Sequence, residues 1–230
     1  MTLGTPRLHF RLTDSTNERA RELAKTGAPS GTLVTATAQS AGRGRQGRTW
    51  TAPAGRALLC SLVLRNPPRL LPLLAGVAVA ETADPGALVK WPNDVLVAGS
   101  KVAGILVEGR PQEHWAVLGM GVNVAVRTED LPPELRERAG GLGLSPGDVE
   151  PVLARLLERL EHWLSEPEAL MLDAFRARDA LRGRPVRWAR GAGEGAGIDD
   201  RGRLCVQTES GIATLDAGEV HLIAGTEPVP

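Results

Sequence analysis

Residues 39–50, Gln-Ser-Ala-Gly-Arg-Gly-Arg-Gln-Gly-Arg-Thr-Trp, constrain this chain more than any other stretch. Gly42, Gly44 and Gly47 free the backbone while Arg43, Arg45 and Arg48 crowd three guanidinium groups together, so the segment can wrap an anion and cannot pack a core. Its glycines match the Gly-x-Gly-x-x-Gly spacing of a dinucleotide-binding turn, and the strand-like run Thr32 to Thr37 precedes it. The helix that such a turn must open is excluded. Pro53 and Gly55 stand where it would begin, leaving no helix N-terminus to meet a pyrophosphate. Arg-Gly runs also occur in flexible nucleic-acid-binding segments, but within basic, low-complexity surroundings. This one lies between two apolar strands of a 230-residue chain with 27 basic and 27 acidic residues, which points to a loop that orders on binding its ligand.

The same balance of charge leaves no global field for nucleic acid or an anionic membrane, and neither partner is expected. Cys60 and Cys205 lie far apart in apolar runs and the four histidines lack metal-ligand spacing, so neither a disulfide framework nor a protein-held metal is predicted. No signal segment or membrane-length apolar run is found, and a cytoplasmic location is expected. Basic residues are nearly all arginine; lysine occurs only at Lys25, Lys90 and Lys101. Where lysine persists, either chance placement or the need for a compact ammonium donating from one point accounts for it.

In chain order, Leu8 to Leu12 reads as a strand. Ser15 and Glu18 form a capping-box pattern that opens a helix through Ala20, Leu23 and Ala24 and ends at Gly27. The hydroxyls of Ser15 and Thr16 cap, and also offer paired donors and acceptors to a polar neutral ring. Thr32 to Ala38 is a strand ending at Gln39. Leu58 to Leu64 is a strand buried on both faces, and Leu70 to Thr82 an apolar helix. Val89 to Val97 runs as strand, corner and strand about Pro92, gathering Lys90, Asn93 and Asp94 at the break. The strand Lys101 to Glu108 follows the Ala98-Gly99-Ser100 turn. Trp115 to Met120 is another strand, after which Asn123 can turn its amide to the cleft of Lys101. Leu131 to Ala139 is read as a short polar helix, and two amphipathic helices follow, one striped by Val152, Leu156, Leu160 and Trp163, the other Ala169 to Leu181. From Gly183 onward five short β-like pieces, Val186 to Trp188, Gly197 to Asp199, Leu204 to Val206, Ile212 to Leu215 and Val220 to Ile223, predict a small barrel.

Taken together, Asp14 to Asn17, Gln39, Gly42 to Arg45 with Gly47, Arg48 and Trp50, Lys90 to Asp94, Lys101 to Ile105, Gly121 to Asn123 and Gly197 to Asp199 with Gly202 resemble the biotin protein ligases, in one order over nearly the whole chain. The resemblance implies an α+β fold: a mixed β-sheet with helices packed on one side, related to class II aminoacyl-tRNA synthetases, over residues 1–181, and an SH3-like β-barrel over 182–230. It implies that biotin and MgATP form biotinyl-5′-AMP, and that a lysine of the biotin carboxyl carrier of acetyl-CoA carboxylase then takes the biotin. Mg²⁺ is expected only as MgATP. By the same resemblance Ser15, Thr16, Asn17 and Gln39 bind the ureido ring. Arg43, Gly44 and Arg45 lie along the tail and carboxylate, beside Gly104. Lys101 reaches the carboxylate and the α-phosphate. Arg45, Arg48, Trp50, Lys90, Asn93 and Asn123 serve ATP, and Asp94 orients or deprotonates the carrier lysine. Lys101, Arg43 and Asp94 are the expected catalytic set.

Two departures stand out. Only about a dozen residues precede Asp14, so the helix-turn-helix domain of some bacterial members is not expected, and Gln46 replaces an arginine found in some relatives. Relatives are often dimers through the sheet edge, which leaves a homodimer open. The rival enzyme is a lipoate or octanoate ligase, which needs a longer apolar tunnel; Ser15, Thr16 and Gln39 favour biotin. A nucleic-acid-binding or catalytically silent relative is the rival from another class.

Overall fold

The computed structural model describes residues 2–223. Seven strands, β1 (Arg7–Phe10), β2 (Leu33–Ala36), β3 (Leu58–Arg65), β4 (Leu88–Lys90), β5 (Asp94–Val97), β6 (Ser100–Arg110) and β7 (Trp115–Val122), form a sheet in the order β1-β2-β3-β7-β6-β5-β4. Only β1 and β2 run parallel, so the sheet is mixed.

β3 is apolar at nearly every position, and both its faces need cover. Helices α2 (Leu71–Ala83), α3 (Val149–Ser165) and α4 (Glu168–Arg176) supply it on one face, with Leu74, Leu156, Leu160 and Phe175 joining Leu62, Leu118 and Met120 in the main core. Helix α1 (Thr16–Lys25) lies on the other face, its Ala20 and Ala24 against Val34, Val63, Trp115 and Val117. The expectation of helices on one side therefore holds for three of the four helices. Alternating side chains along β3 and β7 send half of each strand to a face that α1 covers only in part, and the rest of that face carries the site.

Other expectations are corrected in detail. Residues 131–139 make no helix but a single 3-10 turn, Pro133–Leu135. The chain is instead drawn to β6, where Lys101 N–H donates to Arg138 carbonyl at 2.8 Å and Gly140 N–H to Lys101 carbonyl at 3.0 Å. α4 stops at Arg176, short of Leu181, because the next residues extend alongside β4: Val89 N–H meets Arg178 carbonyl at 2.7 Å, and Ala180 N–H meets Val89 carbonyl at 3.0 Å.

Five further strands, β8 (Pro185–Trp188), β9 (Gly191–Ile198), β10 (Leu204–Thr208), β11 (Gly211–Leu215) and β12 (Val220–Leu222), form a separate antiparallel sheet in the order β11-β10-β9-β8-β12. The expected barrel runs on into residues 224–230, which lie outside the described residues. β9 begins six residues before the predicted piece, in a glycine-rich run without strand character. Side chains have no room at Gly193 and Gly195, where a Cβ would meet the carbonyls of Gln207 and Leu181. The two sheets meet where buried Trp91 donates through Nε1 to Gly202 carbonyl at 3.0 Å.

Candidate active site

The α1 face of the large sheet is a floor of small residues. Directly opposed residues in antiparallel strands share a face, so Ser61, Gly119 and Leu106 make one row across β3, β7 and β6, and Leu59, Gly121 and Gly104 make the next. A Cβ at Gly121 would lie 2.5 Å from the Trp50 ring and one at Gly104 3.0 Å from it, so the indole rests directly on the glycines. At Gly119 a Cβ would overlap Asn17 Oδ1. These glycines are spaces rather than turns.

Parallel pairing beyond β1 and β2 builds the polar end of this floor. Thr13 N–H donates to Ala38 carbonyl at 3.2 Å and Ser40 N–H to Thr13 carbonyl at 2.9 Å, which sets Gln39 against the start of α1. The expected capping box does not form: Ser15 makes no side-chain cap, and Gln39 Oε1 accepts the Thr16 N–H at 2.7 Å instead. Glu18, drawn to Arg21 and Arg43, does not turn back to the cap. Asp14 Oδ1 takes the Ser15 N–H at 2.7 Å, and that bond holds the Asp14 carboxyl below the usual range. Ser15, Thr16 and Asn17 are all buried, and Asn17 joins Ser61 Oγ at 2.6 Å and Glu108 Oε2 at 2.9 Å. The Ser15 hydroxyl has no hydrogen-bond partner among the described residues, which leaves it available to a ligand.

The arginine loop folds as a hairpin over the other end. Trp50 N–H donates to Gly42 carbonyl at 3.0 Å and Gly44 N–H to Arg48 carbonyl at 2.7 Å, with one 3-10 turn at Arg45–Gly47 and Gln46 in the left-handed region at φ 57°. The three guanidinium groups share no partner with one another. Arg43 lies between Glu18 at 3.0 Å and Glu108 at 2.9 Å, Arg45 donates to Asn93 Oδ1 at 2.8 Å, and Arg48 pairs with Glu219 of the C-terminal sheet at 2.7 Å. Lys101 Nζ lies 2.6 Å from Asp94 Oδ1 and 5.7 Å from the centre of the Trp50 ring. Burial lowers the pKa of Lys90 and of Arg45, and Lys90 has no ion pair among the described residues. Such a cation gains most from an incoming anion.

Every expected site residue lines this face or its rim except Asn123, which sits at the end of β7. It shares a short segment with Lys101: its Nδ2 donates to Gly140 carbonyl at 2.9 Å, while Gly140 N–H meets Lys101 carbonyl. Asn123 Oδ1 and Trp50 Nε1 are buried without partners, two polar atoms left for a ligand to satisfy. Sequence reading assigns no site role to Ser61, Glu108, Gly119 and Glu219, and gives Glu18 to a cap and not to Arg43. Ser61 was the one detectable signal, a hydroxyl inside an apolar strand.

A profile of the biotin/lipoate A/B protein ligase family matches residues 9–124, the stretch that builds this floor, and one of the biotin protein ligase C-terminal domain matches residues 183–222. The chain belongs to the biotin/lipoate protein ligase family. Within that family it is 36% identical over 234 residues to the biotin–acetyl-CoA-carboxylase ligase of Mycobacterium tuberculosis, spanning 91% of this chain and 86% of that one. It is 35% identical over 237 residues to the enzyme of the same name from Paracoccus denitrificans, spanning 90% and 97%. The fold matches that of the biotin protein ligase from Aquifex aeolicus in complex with biotin and ATP with a TM-score of 0.81, at 29% identity, over 95% of this chain and 99% of that one. Among the described residues no helix is long and apolar enough to cross a membrane.

Proposed function

We propose that the chain is an ATP-dependent biotin protein ligase that forms biotinyl-5′-AMP and transfers the biotin to a lysine ε-amine of the biotin carboxyl carrier domain of acetyl-CoA carboxylase. One observation carries this reading: a buried cluster of hydroxyls and amides, Ser15, Thr16 and Asn17 with Gln39, adjoins a row of cations on a glycine floor. A ureido ring suits the first part and a carboxylate meeting a phosphate suits the second. The polar end wall of Ser15, Thr16, Asn17 and Gln39 favours biotin over lipoate or octanoate.

The biotin carboxylate attacks the α-phosphate of ATP, the bond from that phosphorus to the bridging oxygen breaks and pyrophosphate leaves. Two anions are brought together, so the site has to supply positive charge and alignment rather than a nucleophile of its own. In this reading Arg43, Gly44 and Arg45 border the tail and carboxylate, and Gly104 beside them leaves room for the Trp50 ring. Lys101 bridges carboxylate and α-phosphate from one point. Arg48, Lys90, Asn93 and Asn123 address the phosphates of MgATP, and Trp50 packs on adenine. In the second step the neutral carrier amine attacks the acyl carbon, the amide bond forms, and AMP leaves with the electron pair of the broken anhydride bond. To Asp94, which holds Lys101, we assign the further task of orienting that amine or accepting its proton.

The same proposal includes a catalytic domain over 1–181, related to class II synthetases, an SH3-like barrel over 182–230, which the five antiparallel strands support, and a cytoplasmic location. Beyond Ile105, β6 has no neighbour except β7 among the described residues, an edge that supports pairing with a second copy.

The test is mass spectrometry after incubation with MgATP and an equal mixture of biotin, lipoate and octanoate. Biotinyl-AMP alone is the expected product. Lipoyl-AMP or octanoyl-AMP would move the chain to the sister activity, and no adenylate at all would overturn the reading.

A further inference from the structure

Glu108 joins two parts of the site through its two carboxylate oxygens. One accepts from Asn17 Nδ2 at 2.9 Å and the other lies 2.9 Å from Arg43. The two surroundings differ: Asn17 is 4% exposed and the Glu108 side chain 19%, while the Arg43 side chain, at 40%, reaches solvent. Asn17 is fixed in turn by Ser61 and fits only because Gly119 lacks a side chain. Arg43 has a second carboxylate in Glu18, but Glu18 also answers to Arg21 at 3.0 Å and does not touch the ring pocket. Among the described residues two carboxylates thus tie the first turn of α1 to the arginine hairpin, Glu18 directly and Glu108 through Asn17, and of the two only Glu108 also bonds Asn17.

We infer that Glu108 is a positioning residue: it fixes Arg43 against the sheet and couples it to Asn17, so that filling the ring pocket and placing the carboxylate-binding cation become one event. The inference rests on the biotin-ligase reading for its substrate. Its geometry stands without it. The carboxylate is required because each of its oxygens can accept one bond. A carboxamide has one oxygen and one donating nitrogen, so it can accept from Asn17 or from Arg43 and must face the other with an amino group.

Glu108→Gln is therefore the informative variant, with Glu18→Gln as its control. In the ligand-free protein, limited trypsin digestion reads how well the hairpin is held, since Arg43, Arg45 and Arg48 are its cleavage points. Nicking is expected to speed up about tenfold in Glu108→Gln, the scale of a charge-assisted bond in a half-dry site, and by clearly less in Glu18→Gln. In adenylate formation, KM for biotin is expected to rise by a similar factor while KM for ATP and kcat hold. In an Arg43→Ala background the same substitution is expected to add nothing, because the amide oxygen is then free for Asn17. Equal nicking of the parent and Glu108→Gln would overturn the inference, as would an undiminished effect on biotin KM without Arg43. Absence of biotinyl-AMP from the parent itself would instead overturn the function, and the digestion result would still decide the role of Glu108.

Discussion

Replacing Gly119 by alanine tests the packing of the ring pocket without reference to any ligand. A Cβ there would overlap Asn17 Oδ1 and lie 2.7 Å from Cγ, and Asn17 has no slack, being held by Ser61 at 2.6 Å and by Glu108 at 2.9 Å. The methyl group must expel the carboxamide. A neutral hydrogen bond contributes about 1 kcal/mol and one to a charged group about 2, so losing both costs about 3 kcal/mol. Stiffening of the unfolded chain by alanine returns up to about 1 kcal/mol. The net loss, about 2 kcal/mol, corresponds to a fall in Tm of roughly 4–8 °C for a chain of this size. Thermal unfolding followed by circular dichroism measures it. Asn17→Ala removes the clashing partner, so adding Gly119→Ala to that variant should be neutral or slightly stabilising. A fall of the same size in both backgrounds would refute the collision argument, and so would an unchanged Tm in the single variant.

Lys101→Ala is expected to slow biotinyl-AMP formation by about 100-fold or more, because it removes the cation at the point where charge accumulates; near-parental single-turnover rates would refute its role. The hairpin at residues 42–50 is expected to be nicked by trypsin more slowly once biotin and MgATP are present, since closing over the adenylate shields it from water; equal rates would count against closure. Asp179 lies at the junction of the two sheets, its Oδ1 accepting from Leu181 N–H at 2.8 Å and its buried Oδ2 without a partner, and burial raises its pKa. A raised folded-state pKa contributes stability below the unfolded value of about 3.9 that is lost as pH climbs through the folded one, so Asp179→Asn should melt above the parent near pH 7. The gap should close as pH falls toward about 4, where the parent carboxyl is protonated; a gap that is constant or reversed would refute the assignment.

Much of this protein could be read before any coordinates. Period and punctuation located β3, α2, α3 and four of the five C-terminal strands, because apolar alternation and Gly or Pro breaks are local signals, whereas most of β9 is a glycine-rich run without them. Misreadings came where a neighbour distant in sequence overrode local preference. Lys101 draws residues 138–140 out of a helix, Val89 unwinds the end of α4, and Gln39 takes the cap that Ser15 was expected to provide.

The same division holds at the site. Residue types at fixed spacing named the chemistry, since three arginines among glycines, two sparing lysines and a Ser-Thr-Asn triplet ask for a polar ring and an anion whatever surrounds them. Sequence could not say which carboxylate neutralises which cation. Glu18, Glu108, Asp94 and Glu219 become the partners of Arg43, Lys101 and Arg48 only once the sheet register and the docking of the C-terminal strands are fixed. Nor could it distinguish Gly104, Gly119 and Gly121 as room for Trp50 and Asn17 from glycines that turn a chain, because an absent side chain has meaning only in relation to what occupies its place.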